Sequence, residues 1–235
     1  MKQYLAGVRS GISVVLGFIP GAIAYAIMAR QAGFTVAQTC GMSLAVFAGA
    51  SQMMAIGMYA QGAGIIAIVI ATFVLNLRHL IMSLCVTTRM KPTSVKAKLL
   101  AAFGVTDESF AIFTTEREEH CTVQYFLGLI TMTYASWVIG TLIGAVASDF
   151  LPPIITASLG ISIYAMFISI LVPSLPGNWR LGMLVVLTAV CNALLTQFIP
   201  SSWALILSTL LCAFIGLFFV DPDASKKEEL HDGRN

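Results

Sequence analysis

The chain alternates long apolar runs with short polar breaks. The first run covers Gly11 to Ala29, and others fall at roughly 36–57, 63–86, 123–147, 154–172, 181–198 and 203–220. Each approaches the roughly 20 residues that a helix needs to cross a bilayer. The pattern therefore predicts an all-α integral membrane protein with about seven transmembrane helices. Gln61-Gly62, Pro152-Pro153, residues 173–177 and Pro200 punctuate the runs, and Trp179 and Trp203 stand at run starts, where aromatic belts occur. Residues 99–115 are apolar but are broken by Gly104 and by Asp107-Glu108, which predicts one short interrupted or re-entrant segment. Lys2 and Arg9 precede the first run as they would in a signal peptide. The run is too long for one and leads into Arg30 and more apolar sequence, so it reads as a retained span. Residues 1–220 form a single polytopic membrane domain in this reading, and 221–235 a polar cytoplasmic tail.

A weak repeat appears at an offset of 119, where Gly21, Ala26, Gly41 and Ser43 match Gly140, Ala145, Gly160 and Ser162. It pairs the first span with the fourth, three crossings later and hence in opposite orientation. That is a possible inverted repeat of the kind found in secondary transporters, or a coincidence between two low-complexity helices.

Composition agrees with the pattern. The 235 residues are 58% hydrophobic and 10% charged, with a mean hydropathy of +0.89, whereas soluble domains carry about 25% charged residues. An ordinary soluble domain, a disordered chain and a nucleic-acid binder are excluded. Ten charged residues lie between Arg89 and Glu119 and eight between Asp221 and Arg234. With seven spans and the N-terminus outside, Arg30, the Arg89–Lys98 cluster, Arg117, Arg180 and the tail face the cytoplasm, and only Lys2 and Arg9 face out. The positive-inside rule then selects an N-out, C-in arrangement. Five scattered cysteines with no CxxC spacing imply neither disulfides nor a zinc site.

Charged and polar groups inside a membrane are costly, so the few that interrupt apolar sequence are the candidate site. Asn76-Leu77-Arg78-His79 lies inside the third run. Arg78 either snorkels toward the basic loop or offers its fork of donors to a carboxylate, and His79 can exchange a proton near neutral pH. In Gly104-Val105-Thr106-Asp107-Glu108-Ser109-Phe110, Thr106 suits an N-cap and the two acids suit a first turn. The same acids can pair with Arg78, hold an ammonium or carry a proton. Phe47-Ala48-Gly49-Ala50-Ser51-Gln52 combines small residues with a membrane-buried amide, which fits close helix packing or a helix interruption lining a polar cavity. Gly17 to Gly21, with Pro20 between them, is similar and predicts a kink. No metalloprotease, nucleotide-binding or nucleophile-elbow motif occurs, and no cofactor is implied.

Together these stretches resemble the AzlC-type large subunits of branched-chain amino acid exporters, the LIV-E family. The matching features are Gly17, Pro20 and Gly21, FAGASQ at 47–52, NLRH at 76–79 and TDES-F-A at 106–111, in the family's order and at similar spacing. The second half of the chain matches mainly by hydropathy. The resemblance implies export of leucine, isoleucine, valine and sometimes methionine across a bacterial cytoplasmic (inner) membrane. It also implies a small AzlD-type membrane subunit as partner, and coupling to the proton gradient rather than to ATP hydrolysis.

Joined, the two lines predict a substrate site formed by Arg78, Asn76, Gln52, Gly49, Ser51, Phe47, Thr106 and Phe110, with Asp107, Glu108 and His79 in proton coupling. Arg78 would hold the substrate carboxylate and Asp107 or Glu108 its ammonium, because a zwitterion needs both charges met in a low dielectric. Alternatives are an exporter of another small organic solute, a membrane-embedded enzyme using these groups as acid and base, and a non-transporting scaffold subunit.

Overall fold

The structure, a computed structural model, describes residues 1–150 and 179–219 together with the single positions 168, 172 and 175. The run expected at 154–172, but for two of those positions, and the tail at 221–235 lie outside the described residues. Nine α-helices occur among the described residues. They are α1 (Lys2–Gln31), α2 (Val36–Ala45), α3 (Gly49–Ala60), α4 (Ile65–Arg89), α5 (Val95–Phe103), α6 (Asp107–Thr115), α7 (Val123–Ala147), α8 (Trp179–Leu195) and α9 (Ser201–Phe219). There is no strand among these residues. Three helices, α1, α4 and α7, are long and apolar enough to cross a membrane, while α8 and the 203–218 stretch of α9 are shorter apolar helices. The chain divides into two compact units, one of residues 1–61 and 75–163, the other of 62–74 and 164–235.

In the first unit α1 and α7 lie side by side with their backbones in contact. A Cβ on Gly7 would meet the carbonyl of Tyr125, and one on Gly128 would meet the carbonyl of Tyr4. Farther along, Gly140 faces Ile19 and Ala22, and Gly144 faces Ile23 and Ala26. Small residues let helices approach this closely. The partners rise together along both helices, so α1 and α7 run parallel. This corrects the inverted reading of the offset-119 repeat. Arg30 and Asp149, 119 residues apart, meet at 2.7 Å at the end of the same pair, so the offset is the register of a parallel packing.

The segment expected to span at 36–57 is instead a helical hairpin. Thr35 and Gln38 form a capping box that starts α2. The chain then leaves the helix at Val46 and Phe47, residues stiff at χ1 or poor in helix propensity, and re-enters at Gly49. The Phe34 and Tyr59 rings lie 5.2 Å apart, so the hairpin begins and ends at one level, beside the C-terminus of α1. Helices α5 and α6 form a second hairpin, broken at Gly104, Val105 and Thr106, where an interrupted segment was expected.

The second hairpin enters from the opposite end. Arg89 at the end of α4 donates to the Glu116 carbonyl at 2.6 Å, and the Lys91 backbone donates to that of Cys121 at 2.8 Å. Gln3 reaches the Glu119 carbonyl there at 3.4 Å. The N-terminus and the basic stretch therefore share one end, and Arg30 sits at the other, paired with Asp149. The expectation had put the N-terminus and the basic cluster on opposite sides, and the structure puts them at one end. Because 36–60 folds back instead of crossing, one crossing is removed, and the positive-inside rule now puts the N-terminus with the basic cluster. The inverted relation holds between α1–α2–α3 and α4–α5–α6, each a long helix followed by a hairpin at that helix's C-terminal end.

At the basic end, Glu116 binds several elements together. Its carboxylate accepts from the Tyr125 hydroxyl at 2.6 Å and lies 3.1 Å from His120 Nδ1, and the same hydroxyl is 2.8 Å from Ser10 Oγ. In the second unit, α8 and α9 pack at Gly216 against Leu184, and Ser208 donates to Asn192 at 3.4 Å.

Candidate substrate site

Two nearly adjacent residues of α4 reach the two hairpins. Asn76 Oδ1 accepts from Ser51 Oγ at 2.6 Å, and Arg78 Nη2 lies 3.0 Å from Asp107 Oδ2. Ser51 is the third residue of α3 and Asp107 the first of α6, so both contacts fall in the opening turn of an inner hairpin helix. The breaks in the two hairpins thus converge on one stretch of α4.

The two helix starts differ. In α6 the Thr106 hydroxyl accepts from the Ser109 backbone, and the Ser109 hydroxyl accepts from the Thr106 backbone and donates to the Gly104 carbonyl at 3.1 Å. Thr106, expected at the substrate, is buried and engaged as this cap. Asp107 and the half-buried Glu108 sit where the helix dipole favours anions. Helix α3 begins after Ala48 with no side-chain cap.

Arg78 and Asp107 are partly open, their side chains 36% and 28% exposed. Arg78 Nε and His79 Nδ1 are buried and meet no hydrogen-bond partner among the described residues. The pair therefore sits at a boundary between packed protein and accessible space, with a donor still unused. Asn76 and His79 are half-buried on the same helix. Phe110 packs at the edge of the cluster of Phe113, Phe126 and Ile130, and Phe47 is buried against Phe18 and Tyr134.

Gln52 is placed differently from Ser51. It is fully buried, donates to Ser43 Oγ at 3.1 Å and accepts from the Trp137 indole N–H at 2.9 Å. Gly49 lies under the same indole; a Cβ there would fall 2.5 Å from Trp137 Cη2. Ser43, Trp137 and Thr141 were not among the residues expected from sequence. The available signal was a tryptophan in mid-run, whose N–H needs an acceptor when buried.

A family model described as AzlC protein matches residues 13–151. An uncharacterized membrane protein of Archaeoglobus fulgidus is 33% identical over 178 residues, 75% of this chain and 78% of its own length. The inner membrane protein YgaZ of Escherichia coli is 29% identical over 178 residues, 73% of each chain. The branched-chain amino acid transport protein AzlC of Bacillus subtilis is 28% identical over 155 residues, covering 63% of this chain and 61% of its own. No solved structure matches. The matched region begins within α1, runs through α7 and contains every site residue above.

Proposed function

The chain belongs to the AzlC family, and from that premise we propose that it is a secondary transporter that exports branched-chain amino acids by proton exchange. It acts in this reading as the large subunit of a two-component exporter in the bacterial cytoplasmic (inner) membrane, with a small AzlD-type subunit as partner, and carries out transport rather than catalysis. The name of the Bacillus subtilis relative supports the cargo.

The observation that carries the reading is the Arg78–Asp107 pair at the meeting point of two broken helices. An α-amino acid carries the same two charges. Inserted between the partners, its carboxylate takes the Arg78 fork and its ammonium takes Asp107, so one internal ion pair is replaced by two and no charge is left bare. The uncapped first turn of α3, at Gly49 to Ser51, adds a dipole favourable to the carboxylate. Asn76 lines the same stretch, Phe47 and Phe110 supply apolar surface for the side chain, and Gln52 holds the α3 turn. Asp107, Glu108 and His79 are the groups able to take up a proton as the amino acid leaves.

The test is export of labelled leucine by Arg78→Ala, compared at equal amounts in the membrane. Loss of export is expected, and unchanged export overturns the carboxylate role. Export that continues after the proton gradient is collapsed overturns proton exchange.

A further inference from the structure

The hydrogen bonds around Gln52 close on themselves. The Trp137 indole N–H donates to Gln52 Oε1 at 2.9 Å, and Gln52 Nε2 donates to Ser43 Oγ at 3.1 Å. Ser43 Oγ lies 2.8 Å from Thr141 Oγ1, and Thr141 Oγ1 donates to the Trp137 carbonyl at 2.8 Å. Because Thr141 gives its proton to that carbonyl, Ser43 must be the donor to Thr141. Each link of the ring then has one direction, and the circuit starts and ends on Trp137. Gln52, Ser43 and Thr141 are fully buried and Trp137 is 2% exposed. A buried polar group left unpaired is expensive, so such a ring is stable only when complete.

The ring spans both helices of the first hairpin and anchors them to α7. Trp137 is itself wedged against α1, with its ring 5.5 Å from Phe18 and 6.3 Å from Tyr25. Its six-membered edge also rests on Gly49, the first residue of α3. One side chain thus fixes the start of α3 by a contact and by a hydrogen bond. Ser51, which reaches Asn76 at 2.6 Å, lies between those two anchors in the chain.

We infer that Trp137, Ser43 and Thr141 are positioning residues for the substrate site, acting through Gln52 to hold the opening turn of α3 against Asn76. The inference rests on the proposed site but not on its cargo. The rigid face is α1 with α7, and the ring joins the hairpin tip to it. Opening the ring frees the tip, so that Ser51 leaves Asn76 and the first turn of α3 loses its place against α4.

The experiment reads the tip directly. In a cysteine-free background, Ser51→Cys is labelled with a small maleimide in membranes; Ser51 is 4% exposed, so the reaction is slow. Trp137→Phe keeps a ring but removes the N–H, and is expected to speed labelling about tenfold, as is Gln52→Leu, with little added by combining them. Thr141→Val is expected to act the same way, whereas Thr141→Ser keeps the hydroxyl and labels as slowly as the parent. In a second measurement with Ser51 intact, Trp137→Phe is expected to raise KM for leucine export about tenfold with the maximal rate within about twofold. Labelling that stays slow in Trp137→Phe and Thr141→Val overturns the inference. If the parent exports no leucine, the cargo reading falls, and the labelling rates still decide the role of the ring.

Discussion

Arg78 and Asp107 are 29 positions apart in the chain, yet their side chains meet at 3.0 Å where α4 passes the broken tip of the second hairpin. The contact joins an element that runs through the unit to one that stops halfway. Each charge stabilises the other only while the hairpin tip stays in place.

Removing one member leaves the other bare. Arg78→Ala and Asp107→Asn are each expected to lower leucine export at least about tenfold, about 1.4 kcal/mol of transition-state stabilisation. Their double variant is expected to accumulate in the membrane better than either single variant while exporting no more, since a pair deleted together leaves no unpaired charge. Immunoblot amounts beside export rates check this, and a double variant that exports like the parent contradicts it.

Gly49 admits no side chain beneath Trp137, because the added Cβ would sit 2.5 Å from Cη2. Gly49→Ala is expected to cost about 1–3 kcal/mol by overpacking. Trp137→Leu in the same chain makes room and is expected to recover part of that loss relative to Trp137→Leu alone. Thermal melting of purified protein in detergent measures both, and an unshifted melting temperature in Gly49→Ala would refute the contact.

Sidedness is open to a direct test. Cysteines introduced for Gln3 and Lys96 are expected to react with an impermeant reagent from the same face of sealed vesicles, and one introduced for Gly33 from the other. Reaction of the first two from opposite faces would mean that residues 36–60 cross the membrane after all.

Acid acts on Glu116. The Tyr125 hydroxyl, then His120 and the Arg117 backbone, hold this carboxyl below its usual range against a smaller opposing effect of burial. A carboxyl depressed in the folded state contributes stability that is fully present above its unfolded value and is lost as pH falls through its folded value. The parent is therefore expected to lose this contribution on acidification below the ordinary glutamate range. Tyr125→Phe removes the largest cause and is expected to be less stable at neutral pH, with the gap closing in acid. Melting temperatures of both proteins from pH 7 downward measure it; a gap that stays constant into strong acid assigns the loss to packing alone.

Charge within apolar sequence is rare, and that made several residues of the candidate site legible. Arg78, Asp107, Asn76 and Ser51 stood out against apolar neighbours, and the structure brings all four to one stretch of α4. The break at Gly104 was legible because a small residue and two acids interrupt the run. The fold of residues 36–60 was not, since hydropathy reports what surrounds a segment and not its direction. A run that crosses and a run that turns back at Val46 and Phe47 look alike. That one misread turn reversed the N-terminus and the orientation assigned to α7. The ring through Trp137 was hidden for another reason: Gln52 stood out, but Ser43 and Thr141 are ordinary small polar residues 98 positions apart, and only packing closes the circuit.

The seam between α1 and α7 carries a consequence for how such chains tolerate length changes. Its contacts are counted within the two helices and are indifferent to the number of residues that connect them. Insertions or deletions in the turns around residues 32–35 or 116–122 leave every seam contact in its own frame. A single residue inserted near Phe18 rotates the rest of α1 by about 100°. The small residues that follow then swing away from Gly140 and Gly144, and Arg30 swings away from Asp149. Length drift in this unit is therefore confined to its connections, and the interiors of its two paired helices are held to a fixed count.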